Sequence, residues 1–163
     1  MFDYLENDSM ESAKPSTQLP LRILLVEDDE DYAFSLTHAL EATYRLDHSK
    51  TEAEALRLLY IENYDVLLLD LNLSTGYLSG FQFLDYLSRL ERFKNLIIIG
   101  ISGMSLDDIH SNPSFKKLNA FLIKPVTRDN LIATIHSCLA APGTKINEEG
   151  TTTNETTAAE EIE

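Results

Sequence analysis

Four short and almost wholly apolar runs constrain the fold of this chain more than any other feature. They occupy residues 23–26, 66–69, 96–101 and 121–123. Each run is too continuous to be one face of an amphipathic element, which indicates strands that are buried on both faces. The chain is therefore expected to build a sheet that is covered on two sides.

Segments with helical spacing of apolar residues separate these runs and predict crossover helices. The apolar residues that carry this spacing are Ala33, Leu36 and Leu40; Leu56, Leu59 and Tyr60; Phe81, Leu84 and Leu87; and Leu131, Ile135 and Cys138. A further helix is expected within residues 105–117, where Pro113 interrupts it. A fifth strand is predicted at residues 44–48, where apolar and polar residues alternate as at a sheet edge.

Strands that alternate with helices imply an α/β protein with a parallel sheet and right-handed crossovers. Five strands and five helices favour a flavodoxin-like, doubly wound sheet with the strand order 2-1-3-4-5. Ligands of such folds bind at the carboxyl ends of the strands, where the winding reverses. The residues directly after each apolar run are therefore the candidates for ligand binding or catalysis.

Composition predicts one domain between two tails. Of the 163 residues, 44% are hydrophobic, and nearly all the large apolar ones lie in residues 20–141. Residues 1–19 and 142–163 are polar, net acidic and without apolar periodicity, so both tails are expected to be disordered. The 27 acidic and 13 basic residues give a formal charge of −14, which argues against direct nucleic-acid binding.

Cysteine content and hydropathy predict a cytoplasmic protein without a membrane segment. The single cysteine, Cys138, cannot form an internal disulfide, and the N-terminus lacks the pattern of a signal peptide. No apolar run approaches the roughly 20 residues that span a bilayer. Cys138 falls on the apolar stripe of the last helix and is expected to be a core residue.

Polar residues follow four of the predicted strands. They are Glu27 and Asp28 after the first run, Asp70 after the third strand, Ser102 at the end of the fourth and Lys124 after the fifth. Clustered carboxylates repel one another and require a cation, and an oxygen-rich site of this kind suits Mg²⁺. Beside the metal, Asp70 is expected to act as a nucleophile toward phosphorus, while Lys124 and Ser102 bind phosphoryl oxygens.

The segments LLVED, LLLDLNL, IGISG and FLIKP together resemble the signature of response-regulator receiver domains, over about residues 20–141. The resemblance implies that Glu27 and Asp28 are the acidic metal-binding pair and that Asp70 is the phospho-acceptor. It further implies that Ser102 is the conserved hydroxyl and that Lys124 is the invariant lysine.

The resemblance also assigns Asn72, whose backbone carbonyl would bind the metal, and Phe121, which with Ser102 would form the conformational switch. An aromatic residue in a strand is, however, more simply explained as core. Two features depart from the family pattern. Ser74 stands where a proline is common, and Gly80 follows Asp70 by ten residues, so the loop 73–79 is about two residues longer than usual.

A receiver would be a phospho-accepting switch of a two-component phosphorelay rather than an enzyme, promoting only its own phosphorylation and dephosphorylation. The implied partners are a histidine kinase or histidine phosphotransfer protein upstream and a protein target downstream. Phosphorylation-dependent dimerisation is left open.

Alternative interpretations compete with the receiver assignment. A Mg²⁺-dependent phosphohydrolase of the haloacid dehalogenase type would need an acid at residue 72, where the chain has Asn72. A pseudo-receiver would keep the fold without phosphorylation, and a flavin-binding function would rest on fold analogy alone. The acidic run 27–31 also has a simpler interpretation as the start of a helix, with Asp29 or Asp31 as its N-cap. The histidines, His38, His48, His110 and His136, are interpreted as surface or edge residues rather than ligands.

Overall fold

A five-stranded parallel sheet forms the centre of the molecule. A computed structural model of the protein describes residues 19–74, 76 and 79–146. The strands are β1 Arg22–Val26, β2 Arg45–Ser49, β3 Val66–Asp70, β4 Ile97–Ser102 and β5 Ala120–Ile123. They pair in the order β2-β1-β3-β4-β5, and all neighbouring pairs are parallel. The predicted fold and strand order are confirmed.

Among the described residues, four α-helices connect the strands and a fifth follows β5, and each begins at a side-chain cap. They are α1 Glu30–Leu40, α2 Glu52–Ile61, α3 Gly80–Ser88, α4 Leu106–His110 and α5 Arg128–Ala140. The helix α4 is short, and a 3₁₀ helix that begins at Pro113 follows it, as the predicted interruption implies. Asp29 rather than Asp31 caps α1, because its side chain accepts the amides of Asp31 and Tyr32.

Two apolar cores lie on the opposite faces of the sheet. Successive residues of β3 alternate between them, so that Leu67 and Leu69 join one core while Val66 and Leu68 join the other. The first core is completed by α2 and α3, and the second by α1 and α5. Burial of the central strands on both faces holds their carboxyl ends at fixed positions. No helix within the described ranges is long and apolar enough to cross a membrane.

The buried face of α2 differs from the prediction. Ala55 and Leu59 are buried, whereas Tyr60 is 46% exposed. The inner stripe of the helix passes through residues 52, 55 and 59, and Tyr60 lies about 100° further round the helix than Leu59. Glu52 is only 4% exposed at the start of this stripe, which the sequence did not predict for a charged residue.

The chain remains packed beyond the predicted domain boundary at residue 141. Ile146 is buried, and its amide donates to the carbonyl of Leu118 at 3.0 Å. The buried side chain of Asn119 donates to the Thr144 carbonyl at 2.8 Å and accepts from Lys145 Nζ at 2.9 Å. Part of the segment that was expected to be disordered is thus fixed to the end of the sheet near β5. Residues 1–18 and 147–163 of the predicted tails lie outside the described residues.

We predict that Ile146→Ala lowers the free energy of unfolding by about 2 kcal/mol, because it removes buried methyl groups from the first core. Urea denaturation would measure the change. Ile61→Ala is the matched control, since Ile61 is 61% exposed and should cost less than about 0.5 kcal/mol. A loss below about 0.5 kcal/mol for Ile146→Ala as well would contradict the prediction.

Candidate functional site

The polar residues predicted from the strand ends meet at one edge of the sheet. Asp70 ends β3 and Ser102 ends β4, while Glu27 directly follows β1 and Lys124 directly follows β5. The strands are parallel and paired in register, so their carboxyl ends reach the same edge. The structure therefore brings together residues that are up to 97 positions apart in the chain.

Three carboxylates form the centre of the site. Glu27, Asp28 and Asp70 each place an oxygen within 4.8 Å of the others. Glu27 and Asp70 are almost fully buried, and Asp28 is half-buried. Three negative side chains against the single Lys124 ammonium leave a formal charge of −2. A donor set made only of carboxylate oxygens suits a hard divalent cation such as Mg²⁺, and its charge would balance the cluster.

The ammonium of Lys124 lies between two of these carboxylates. Its Nζ is 2.7 Å from Glu27 Oε2 and 3.4 Å from Asp70 Oδ2. Burial by itself would lower the pKa of Lys124, but the hydrogen bond to Glu27 and the charge of Asp70 outweigh it and raise that pKa. The amine is therefore held in its charged form.

Glu27 is also held by groups other than Lys124. Its Oε1 accepts the amide of Asp29 at 3.0 Å, and its backbone carbonyl is 2.8 Å from Nε2 of His48. Burial raises the pKa of Glu27, although Lys124 and the Asp29 amide oppose the rise. His48 lies on the edge strand β2, as predicted, but its contact with the site was not foreseen.

Asp28 is held by the loop that departs from the family pattern. Its Oδ2 accepts the backbone amide of Ser74 at 3.0 Å and the Ser74 hydroxyl at 2.6 Å. A proline at position 74 could supply neither donor. The unusual residue in the lengthened loop thus orients one of the candidate metal ligands.

The Ser102 hydroxyl is engaged by Asn72. Ser102 Oγ donates to the side-chain oxygen of Asn72 and accepts the amide of Met104 at 3.0 Å. The backbone amide of Asn72 donates to Asp70 Oδ1 at 2.8 Å. One residue therefore contacts both the candidate acceptor and the candidate switch hydroxyl. The metal-binding role expected of the Asn72 carbonyl stays a prediction.

Gly80 allows α3 to begin directly against the backbone of the candidate acceptor. A Cβ at this position would lie 2.2 Å from the carbonyl oxygen of Asp70 and 2.5 Å from Cα of Leu71. Both distances are far below contact, and both involve backbone that cannot move aside. A glycine at the start of α3 is therefore required for this close approach to Asp70 and Leu71.

Phe121 lies in β5. Its ring is half-buried, packs against the first core and meets the ring of Phe115 edge-on, at 5.7 Å between centroids. It thus contributes to packing, and its role as a switch stays a prediction.

Comparison with known proteins identifies a family and a set of similar folds. Residues 23–136 match the response regulator receiver domain. The cell cycle response regulators CtrA of Brucella ovis and Brucella suis are 34% identical over 119 residues, which cover 72% of this chain and 49% of each relative. The chain therefore spans about half the length of the curated relatives it matches.

Solved structures share the fold. A sensor protein from Polaromonas sp. JS666 is 28% identical with a TM-score of 0.68, covering 74% of this chain and 96% of that one. A CheY-like receiver from Methanospirillum hungatei JF-1 is 26% identical with a TM-score of 0.63, covering 74% and 94%. TrrA from Thermotoga maritima, in complex with Mg²⁺-BeF, is 24% identical with a TM-score of 0.64, covering 72% and 97%.

We predict that Glu27 makes the metal-free protein less stable as the pH rises. Because burial raises its pKa above about 4.5, folded Glu27 keeps a proton that the unfolded chain has already lost. The protonated Glu27 carboxyl contributes fully to the unfolding free energy below about pH 4.5, and this contribution is lost as the pH rises through the folded pKa. Glu27→Gln does not titrate, so the unfolding free energy of wild type minus that of the variant should fall toward neutral pH. Urea denaturation in a chelator would measure it, and a difference that increases with pH would contradict the prediction.

Proposed function

The chain belongs to the response regulator receiver family, and we propose on this basis that it is a phospho-accepting signalling switch with Asp70 as its acceptor. The observation that carries the proposal is the position of the Asp70 carboxylate. It is buried at the end of β3, 3.4 Å from Lys124 Nζ and within 4.8 Å of two further carboxylates. A nucleophile, a cation for phosphoryl oxygens and a set of metal ligands thus share one site.

Glu27, Asp28, Asp70 and the carbonyl of Asn72 would hold Mg²⁺. The ion would supply positive charge against the oxygens of the incoming phosphoryl group and reduce its repulsion by the carboxylates. The formal charge of −2 on the cluster supports this part of the proposal. The contacts of Asp28 with Ser74 and of Asp70 with the Asn72 amide orient the carboxylates before any cation arrives.

In the transfer step, a carboxylate oxygen of Asp70 attacks the phosphorus of a phosphohistidine on the donor protein. The O–P bond forms as the P–N bond breaks, and the electron pair leaves on the imidazole nitrogen. Lys124 would shift from Glu27 toward the phosphoryl oxygens, which would accept strong charge-assisted hydrogen bonds from its ammonium. The Ser102 hydroxyl would donate to another of these oxygens.

The switch would consist of a competition for the Ser102 hydroxyl. Without a phosphoryl group the hydroxyl donates to Asn72, and with one it would donate to a phosphoryl oxygen instead. Ser102 also accepts the Met104 amide, so its movement would shift the start of the segment that leads to α4. Space beside Phe121 would change as a consequence, and the surface formed by α4, β5 and α5 would carry the output.

The proposed partners follow from this chemistry. A histidine kinase or histidine phosphotransfer protein would supply the phosphoryl group, and a protein target would recognise the altered surface. The family is regulatory, and we propose that the chain promotes only its own phosphorylation and dephosphorylation. The cytoplasmic location and a phosphorylation-dependent dimer stay predictions.

The contacts of the site give little support to the other candidate functions. A haloacid dehalogenase-type hydrolase would use a carboxylate two residues beyond the nucleophile, whereas the side-chain oxygen of Asn72 at that position accepts a hydrogen bond from the Ser102 hydroxyl. A pseudo-receiver would not take up a phosphoryl group. Phosphorylation of Asp70 therefore separates the proposal from a pseudo-receiver, whereas repeated turnover of phosphate esters would indicate the hydrolase instead.

We predict that acetyl phosphate with Mg²⁺ adds one phosphoryl group to the protein, on Asp70. Borohydride trapping followed by peptide mass spectrometry would locate it. Asp70→Asn is the matched control and should take up none, because an amide is not a nucleophile of this kind. Excess chelator should prevent the reaction. A major product on another residue, or full modification without metal, would contradict the assignment.

We further predict that Ser102→Ala still accepts a phosphoryl group but transmits less of the change to residues 118–121 and 127–135. Amide chemical shifts with and without beryllofluoride would compare the variant with wild type. Ser35→Ala, a substitution on the exposed face of α1, is the control. If beryllofluoride shifts only residues 27–30 and 70–80 in wild type, the proposed output surface is wrong.

A further inference from the structure

Tyr32, in the first turn of α1, makes two contacts with the loop that follows β5. The centre of its half-buried ring is 4.5 Å from Lys124 Nζ. Its hydroxyl accepts the backbone amide of Val126 at 3.2 Å. These residues are more than ninety positions apart in the chain, and none of the sequence patterns predicted the contact.

The Tyr32 ring is a third contact of the Lys124 ammonium, in addition to Glu27 and Asp70. The face of the ring attracts a cation, yet the ring carries no charge of its own. Glu27 holds Nζ at 2.7 Å and would have to release it when phosphoryl oxygens arrive. The contact with the ring does not compete with those oxygens, so it can persist while the ammonium changes partners.

The Tyr32 hydroxyl also holds the backbone two residues after Lys124, through the amide of Val126. The amide of Lys124 donates to the Ser102 carbonyl at 2.8 Å, which anchors the loop on the other side of the ammonium. Tyr32 is in turn placed by Asp29, whose side chain accepts its amide at 3.0 Å. The helix cap next to the acidic pair is thus connected to the lysine loop through one side chain.

We propose that Tyr32 is a positioning residue of the phosphorylation site, which keeps the Lys124 ammonium where phosphoryl oxygens bind. This inference rests on the proposed function and extends it to a residue outside the carboxylate cluster. Its specific consequence is that Tyr32 affects binding of a phosphoryl group through Lys124 and has little effect on the affinity for the metal.

The test measures the affinity for beryllofluoride at saturating Mg²⁺ and, separately, the affinity for Mg²⁺ alone. Tyr32→Leu should weaken beryllofluoride binding about tenfold, because the Lys124 side chain would then have to be ordered when the fluorides bind. Tyr32→Phe keeps the ring and should lose only about twofold to threefold. The affinity for Mg²⁺ should stay within about twofold of wild type. Tyr86→Leu, at an exposed tyrosine of α3, is the matched control and should change neither affinity.

A double-mutant cycle with Lys124→Ala separates positioning from general loosening of the fold. In that background the Tyr32 substitutions should cause no further loss of beryllofluoride affinity, because the side chain through which Tyr32 acts is absent. The same cycle with Tyr32→Phe applies if Tyr32→Leu does not fold. Additive losses, or equal losses of Mg²⁺ and beryllofluoride affinity, would overturn the inference. Failure of the wild type to bind beryllofluoride would overturn the proposed function itself.

Discussion

Repulsion among three carboxylates at one edge of a parallel sheet is the constraint on which the rest of the site depends. Glu27 and Asp70 are removed from water, and charges in that position are costly unless they are paired. Lys124 pairs with both, while amides of Asp29 and Asn72 each donate to one carboxylate. The three carboxylates and Lys124 together carry a formal charge of −2. In the proposed function, a cation would offset this charge, and the bound cation would in turn favour the arrival of a phosphoryl group.

In the proposed switch, the sheet would stay fixed while a small number of polar groups change partners. The central strands are buried on both faces, and Gly80 brings α3 into direct contact with the backbone behind Asp70. These features keep the acceptor in place. The groups that can change partners are the Ser102 hydroxyl, now on Asn72, and the Lys124 ammonium, now on Glu27. A local exchange of hydrogen bonds can therefore bias the surrounding packing while the sheet remains unchanged.

The sheet order and the meeting of the polar strand ends were predictable from the sequence. Apolar runs mark the strands of a parallel sheet, and the residue after each run lies at the shared edge. The contacts that orient those residues were not predictable. Ser74 reaches Asp28 across 46 positions and Tyr32 reaches Val126 across 94, and no local pattern records such pairs. The packing of Ile146 was missed because a lone apolar residue in a polar segment has no periodicity.

A crystal structure of the protein with Mg²⁺ and beryllofluoride tests the central claim most directly, because it shows which groups balance the negative charge of the carboxylates. We predict that the metal binds among Glu27, Asp28 and Asp70, and that the beryllium is bonded to an Asp70 oxygen. We also predict fluorides in contact with Lys124 Nζ and Ser102 Oγ, with the Ser102 hydroxyl separated from Asn72. A metal bound elsewhere, or a Ser102 hydroxyl that still donates to Asn72 beside a bound beryllofluoride, would contradict the claim.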